Sequence, residues 1–156
     1  MAMIPTPVYQ LVERRLHQRE GWLKRLEEAE QAARQRATDP HAPSPDREPS
    51  GHRQGRENRR LDAAVEAAEA AETARRWLRV FERVDRAFPP ESATGRVAVL
   101  MYREGLTQED TARRLGKGRQ YVRRQRDIYV CHCAVLAAAA GLIRIRNDTT
   151  DKEART

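Results

Sequence analysis

The sequence predicts an all-α protein in which a long antiparallel helical hairpin precedes a helix-turn-helix domain. Over two long stretches, apolar residues recur at three- and four-residue steps, which is the period of a helix with one apolar face. A segment with four prolines separates these two stretches. A third region, residues 106–127, contains two glycines around a lysine and then a run of arginines.

The first predicted element is an amphipathic helix at residues 1–37. Its apolar face starts after Pro7 and includes Leu11, Leu16 and Leu23. Residues 38–55 follow as a predicted flexible linker, because prolines, serines, glycines and charged residues in this proportion cannot sustain a helix or bury a core.

A second long helix is predicted at residues 56–88, where apolar positions recur from Leu61 until Pro89 and Pro90 end the pattern. Such a helix would extend about 50 Å. Because its alanine-rich stripe permits close helix approach, we expect it to form an antiparallel hairpin with the first helix. We also expect a homo-oligomer, with a dimer favoured. The alternative is that the periodicity reflects composition alone.

The helix-turn-helix domain is predicted at residues 91–142, with a polar tail at 143–156. Within the domain, Gly105 is expected to close a short helix. Thr107 and Asp110 have nearly the spacing and chemistry of a capping box, so the next helix is predicted to begin at Gln108.

Glycine and alanine positions predict the turn between the two helices of this domain. Gly116 supplies the left-handed residue that ends a helix, and a second helix is predicted to begin at Arg119. Ala112 is small where the helices would cross, and Val122 is apolar where they would pack. This spacing is the signature of a helix-turn-helix, whose second helix enters the major groove of DNA.

The net charge of the chain is concentrated in the same region. Residues 112–126 contain seven cations and no acid, while the whole chain has 30 Lys and Arg against 23 Asp and Glu. The remainder of the chain is therefore neutral. A neutral scaffold with one basic patch predicts a polyanionic partner, and double-stranded DNA is the simplest.

Helical geometry divides the basic residues into two groups. With Val122 directed to the core and about 100° per residue, Gln120, Arg123, Arg124 and Asp127 fall on the outward arc. Arginine can pair with guanine and glutamine with adenine through two hydrogen bonds. The predicted base-reading residues are Arg119, Gln120, Arg123 and Arg124. The predicted phosphate contacts are Thr107, Arg113, Arg114, Lys117 and Arg126.

Other classes of function find no support in the sequence. No phosphate-binding loop, nucleophile with a base, or metal-ligand cluster is recognisable, so neither an enzyme, a small-molecule substrate nor a cofactor is expected. Cys131 and Cys133 would point about 200° apart on a helix, which does not suit tetrahedral zinc. The longest apolar run has eleven residues, fewer than the roughly 20 that span a membrane. We expect a cytoplasmic protein.

The chain also resembles a known family, in an amino-terminal ERRL helix, the passage VLMYREGLTQED, the stretch GKGRQYVRRQRD and a terminal AGLI. It is similar to phage and mobile-element late-gene regulators of the RinA/ArpU type, whose carboxy-terminal half is similar to region four of bacterial sigma factors. The resemblance implies a sequence-specific DNA-binding regulator that activates phage late genes in a bacterial or phage-infected cell. RNA polymerase is then a further candidate partner.

Two other functions fit the same pattern. A small terminase-like DNA-packaging subunit also joins a helix-turn-helix to a helical oligomerisation element. A helical scaffold or adaptor would use the hairpin for protein contacts and carry the basic segment only for solubility.

Overall fold

The computed structural model describes residues 4–39 and 54–145, and the all-α prediction is confirmed: no strand occurs in these two ranges. There are five α-helices, and a π-helical turn at Val99–Arg103 continues directly from α3. No described helix is long and apolar enough to cross a bilayer. The helices are α1 Thr6–Thr38, α2 Gln54–Ala87, α3 Ala93–Ala98, α4 Gln108–Leu115 and α5 Arg119–Ala139.

The chain divides into two units, and the division falls inside α1 and α2. The packed unit comprises the described residues 4–19 and 76–145, and the exposed unit comprises 20–39 and 54–75. The first part of α1 therefore belongs to the same unit as α4 and α5. The sequence instead predicts that residues 1–37 form an element of their own.

The core of the packed unit draws on every helix except α4 for its largest apolar side chains. Leu16 of α1, Phe81 and Val84 of α2, and Tyr129 of α5 are all nearly or fully inaccessible to solvent. Burial of side chains of this size contributes about 1.5 to 3 kcal/mol each. Removal of this apolar surface from water holds α1, α2 and α5 together in the packed unit.

Asp85 is the polar centre of this unit. Its carboxylate accepts hydrogen bonds from Arg19 Nη2, Arg103 Nη2 and the Tyr129 hydroxyl, each at 2.7 Å. A carboxylate removed from water needs such partners, because an unpaired buried charge is strongly unfavourable. Asp85 thus connects α1, α2, the π-helical turn and α5.

The chain enters the carboxy-terminal helices through a tight approach at Gly95. Ser92 caps α3 by accepting a hydrogen bond from the Gly95 N–H at 3.0 Å. A Cβ at Gly95 would collide with the backbone of Phe88 and Pro89, so only glycine fits there. Gly105 then adopts φ +70°, in the left-handed region, and closes the helical segment as predicted.

Two arginine side chains of α1 lie against aromatic rings of α2 in the packed unit. The Arg15 guanidinium lies 6.0 Å from the Trp77 ring, and that of Arg19 lies 5.8 Å from the Phe81 ring. The antiparallel arrangement of α1 and α2 stays a prediction.

The exposed unit buries little apolar surface. All of residues 27–39 and 55–70 are exposed, including Leu61 and Val65, which retain 64% and 56% of their accessible surface. The predicted close packing along the alanine stripe is therefore not formed within the single chain. Ion pairs within the helices, such as Lys24 Nζ to Glu28 Oε1 at 3.9 Å, lie on the surface.

The predicted linker and tail fall largely outside the described residues. Of the linker at 38–55, Thr38 still belongs to α1 and α2 already begins at Gln54, while 40–53 are not described. Of the polar tail predicted at 143–156, Ile143 is buried and so belongs to the core of the packed unit.

Candidate nucleic-acid interface

The candidate interface begins with α4, whose first residue is Gln108 as predicted. Thr107 is its N-cap: the hydroxyl accepts a hydrogen bond from the Asp110 N–H at 3.1 Å and donates one to Asp110 Oδ2 at 2.7 Å. The cap satisfies a backbone donor that the first turn leaves without a partner. Thr107 is exposed, as a phosphate contact requires. Its hydroxyl already caps α4, however, so a phosphate would have to share this hydroxyl with the helix.

The turn between α4 and α5 has the predicted chemistry. Gly116 lies at φ +60° and ψ 35°, its N–H bonds to the Arg113 carbonyl, and the Lys117 N–H bonds to the Ala112 carbonyl. These two bonds form a Schellman motif, which requires the left-handed residue that glycine accommodates best. Gly118 is extended, and α5 begins at Arg119 as predicted.

The two helices pack through small and apolar residues. Ala112 and Val122 are buried, as the spacing predicts. The Gln108 side-chain amide donates to the Arg119 carbonyl at 3.1 Å and ties the start of α4 to the start of α5. Thr111 is fully buried, and its hydroxyl has no hydrogen-bond partner within the described residues.

Three of the four predicted base-reading side chains lie on one exposed face of α5. Gln120, Arg123 and Arg124 line a groove of about 920 Å³. The Arg123 side chain is 63% exposed, and its Nε lies 4.0 Å from Asp127 Oδ2, a loose ion pair. Gln120 and Arg124 make no side-chain hydrogen bond or ion pair among the residues described, so their donors face solvent.

Arg119 and Arg113 differ from this group because both contact the same acid. Glu109 Oε1 lies 2.9 Å from Arg119 Nη2 and 2.9 Å from Arg113 Nη2. Arg113 Nη1 also lies 3.5 Å from Asp110 Oδ1. The hydrogen bond from Arg119, followed by the charge of Arg119 and then the contacts of Arg113, lowers the pKa of Glu109.

Two further predicted phosphate contacts, Lys117 and Arg114, form no ion pair with an acid among the described residues. The Lys117 ammonium lies 5.5 Å from the centre of the Tyr121 ring, a cation–π contact that leaves the charge exposed. Arg114 is exposed and forms no ion pair with any residue that the structure describes. Both are placed where a phosphate could approach them.

Arg126 is placed differently from the other predicted phosphate contacts. Its side chain is only 21% exposed, and Arg126 Nε lies 3.8 Å from Glu13 Oε1. Its guanidinium also lies 5.7 Å from the Tyr9 ring, and Nη2 lies 3.5 Å from Asp127 Oδ1. Desolvation lowers the pKa of Arg126, but the surrounding tyrosines and acids outweigh it and raise the pKa. Its charge is thus balanced within the protein.

The sequence gives no signal for the partners that hold this part of α5. The Tyr9 hydroxyl donates to Asp127 Oδ1 at 2.6 Å, and the Tyr102 hydroxyl donates to Glu13 Oε1 at 2.9 Å. Burial, followed by the hydrogen bond to Asp127, raises the pKa of Tyr9, so its hydroxyl stays protonated at neutral pH. Residues 9 and 127 are 118 positions apart, and no local pattern relates them.

The basic patch is therefore less concentrated than a count over residues 112–126 indicates. Glu109, Asp110 and Asp127 lie just outside that window, so 107–127 carries three acids against seven cations. The acids pair with Arg113 and Arg119 and loosely with Arg123. The cations that face solvent most freely are Arg114, Lys117, Arg123 and Arg124.

The two cysteines lie on α5, beyond the residues that line the groove. Cys133 is buried and Cys131 is partly buried, and burial raises the pKa of both thiols. Raised pKa values make thiols unreactive at neutral pH. In the described part of the chain, no group of three or more histidine, cysteine or acidic side chains is arranged to hold a metal ion.

No protein-family model matches the chain, and no curated protein or solved structure matches it either.

Proposed function

We propose that the protein is a sequence-specific DNA-binding transcription regulator that activates phage or mobile-element late genes. The observation that carries this proposal is the exposed face of α5, where Gln120, Arg123 and Arg124 project from a helix anchored by a capped partner helix and a glycine turn. The resemblance to RinA/ArpU-type regulators and to sigma-factor region four supports the same function.

In this proposal α5 enters the major groove of DNA. Arg123 and Arg124 donate to the acceptors of guanine, and Gln120 pairs with adenine. Arg114 and Lys117 hold the phosphate backbone and set the register. Arg113 and Arg119 contribute after exchanging Glu109 for a phosphate or a base. Arg126 is a structural residue of α5 in this scheme, because its charge is already balanced by Glu13.

The test is a DNA-binding titration with the full chain at several salt concentrations. A preferred duplex is first selected from a random library, and a random duplex serves for comparison. Log affinity is expected to fall with log salt by about 0.9 for each phosphate that the protein neutralises. Arg124→Ala is expected to cost about 1 to 3 kcal/mol on the preferred duplex and less on the random one.

Arg83→Ala provides the matched control, because Arg83 is an exposed arginine on α2, far along the chain from α5. It is expected to leave both affinities unchanged. Equal losses on both duplexes for Arg124→Ala would make Arg124 a phosphate contact. Binding that is absent, or indifferent to salt, would refute the proposal and favour a helical scaffold or adaptor.

A small terminase-like packaging subunit is the second candidate, and the exposed apolar residues of α2 favour it. Leu61 and Val65 lie one helical turn apart and are more than half exposed, a surface that association of copies would cover. A packaging subunit would form a ring of many copies, whereas a regulator is expected to be a dimer. The molecular mass in solution distinguishes the packaging subunit from the regulator.

For both proposed functions the site of action is the bacterial cytoplasm. RNA polymerase is a proposed partner of the regulator only.

A further inference from the structure

Asp127 is an acid within the face of α5 that the proposed function assigns to DNA. It lines the same groove as Arg123 and Arg124 and retains 42% of its side-chain exposure. A carboxylate in such a place repels phosphates. It also lies four residues after Arg123, a spacing at which side chains on a helix meet and oppositely charged groups form ion pairs. Without another partner, Asp127 would form an ion pair with Arg123 and neutralise the guanidinium that is proposed to contact a base.

The geometry shows that this neutralisation is incomplete. Asp127 Oδ2 lies 4.0 Å from Arg123 Nε, beyond hydrogen-bonding distance. Asp127 Oδ1 instead accepts a hydrogen bond from the Tyr9 hydroxyl at 2.6 Å and lies 3.5 Å from Arg126 Nη2. The carboxylate therefore has its short contact with α1 and only a loose one with Arg123.

Tyr9 is itself held in place for this contact. Its ring lies 5.7 Å from the Arg126 guanidinium, and Glu13, one turn further along α1, lies 3.8 Å from Arg126 Nε. The Tyr102 hydroxyl in turn donates to Glu13 at 2.9 Å. Two helices that are distant in sequence thus meet through one polar cluster, and within it Tyr9 makes the shortest contact with Asp127.

We propose that Tyr9 is a positioning residue for DNA recognition: its hydroxyl holds the Asp127 carboxylate away from Arg123 and leaves that guanidinium free to contact DNA. The amino-terminal turn of α1 thereby determines how well α5 binds its site. This inference rests on the proposed function, since it concerns the same surface of α5.

The experiment is a double-mutant cycle of Tyr9→Phe and Asp127→Asn, measured as affinity of the full chain for the selected duplex. Tyr9→Phe removes the hydroxyl and keeps the ring beside Arg126. Asp127 then pairs more closely with Arg123, and affinity is expected to fall about fivefold, the order of one partly exposed ion pair. Asp127→Asn removes the competing charge and is expected to bind no more weakly than the original chain.

The decisive comparison is Tyr9→Phe in the Asp127→Asn background, where no further loss is expected, because no carboxylate is left to capture Arg123. Tyr102→Phe is the matched control: it removes a hydroxyl from the same cluster without touching Asp127, and it is expected to leave affinity unchanged at temperatures below unfolding. If Tyr9→Phe weakens binding equally in both backgrounds, Tyr9 acts only through the fold and the inference is overturned. Unchanged affinity for Tyr9→Phe alone overturns it as well.

A measurement without DNA distinguishes failure of this inference from failure of the proposed function. In Tyr9→Phe, the Arg123 Nε–H is expected to exchange more slowly with water, because the closer carboxylate protects it. If the original chain binds no duplex while this exchange slows, the contact is as inferred and the proposed function is wrong. If the chain binds its duplex and the exchange is unchanged, the proposed function stands and the inference is wrong.

Discussion

The two ends of α2 share one helical pattern and differ in what surrounds them. Toward its carboxy terminus, Trp77, Phe81 and Val84 are buried in the packed unit. Toward its amino terminus, every residue from 55 to 70 is exposed, although the apolar spacing continues through Leu61 and Val65. Periodicity therefore indicates that a helix forms and which residues share a face. It does not indicate that the face is covered.

The size of the side chains separates the two ends where their spacing does not. The buried end carries aromatic residues, which remove large areas from water, while most of the apolar residues at the exposed end are alanines, which remove little. Changes in the packed unit are therefore expected to affect the free energy of unfolding strongly, and the same changes in the exposed unit weakly.

Glycine to alanine gives the largest expected contrast. Gly95→Ala should destabilise the protein by more than about 3 kcal/mol, because its Cβ would collide with the backbone of Phe88 and Pro89, which cannot move aside. Gly21→Ala in α1 of the exposed unit has only the Arg25 Nη2 at 3.7 Å from its Cβ. It should stabilise the local helix by up to about 1 kcal/mol. Denaturant unfolding measures the first change and amide hydrogen exchange the second. Similar changes in stability for Gly95→Ala and Gly21→Ala would contradict the expected difference between the packed and exposed units.

A valine pair on α2 itself comes next in size. Val84 is fully buried, and Val84→Ala should cost about 2 kcal/mol through lost burial and the cavity that remains. Val65 is 56% exposed, and Val65→Ala should change stability by less than about 0.5 kcal/mol. Urea unfolding of the two variants measures both values. A large loss for Val65→Ala that grows with protein concentration would show that association covers Val65.

A threonine pair tests the polar side of the same comparison. Thr111 is fully buried with no hydrogen-bond partner for its hydroxyl within the described residues, so Thr111→Val should stabilise the packed unit by about 1 kcal/mol. The exposed Thr73 of α2 is the control, and Thr73→Val should have almost no effect. Thermal unfolding of both variants is sufficient. Destabilisation by Thr111→Val would mean that the hydroxyl has a partner such as an ordered water.

The features that the sequence predicts correctly are those determined by nearby residues. The start of α4 at Gln108, the left-handed Gly116 and the start of α5 at Arg119 each depend on groups within a few positions along the chain. Capping and glycine chemistry act at this range, so a single sequence is sufficient to locate them.

The features that it does not predict depend on contacts between distant residues. Nothing near Arg126 indicates that Glu13 balances its charge, and nothing near Asp127 indicates Tyr9. Periodicity likewise carries no information on which helix faces which, so it does not determine how α1 and α2 pair.

The smallest expected effect concerns the ion pairs on the two surfaces. In the packed unit Glu109 contacts Arg119 and Arg113 at 2.9 Å each, whereas in the exposed unit Glu28 lies 3.9 Å from Lys24.

The contacts with Arg119 and then Arg113 lower the pKa of Glu109 in the folded state. A lowered folded pKa stabilises the protein above the ordinary glutamate pKa, and this stabilisation is lost as the pH falls through the folded value. Glu109→Gln should therefore lower the unfolding temperature slightly at neutral pH, and this difference should shrink as the pH falls through the lowered pKa of Glu109 in the folded state. Glu28→Gln should have a smaller effect at neutral pH. If the difference between Glu109→Gln and the original chain does not close as the pH falls, the ion pairs of Glu109 do not contribute through their charge.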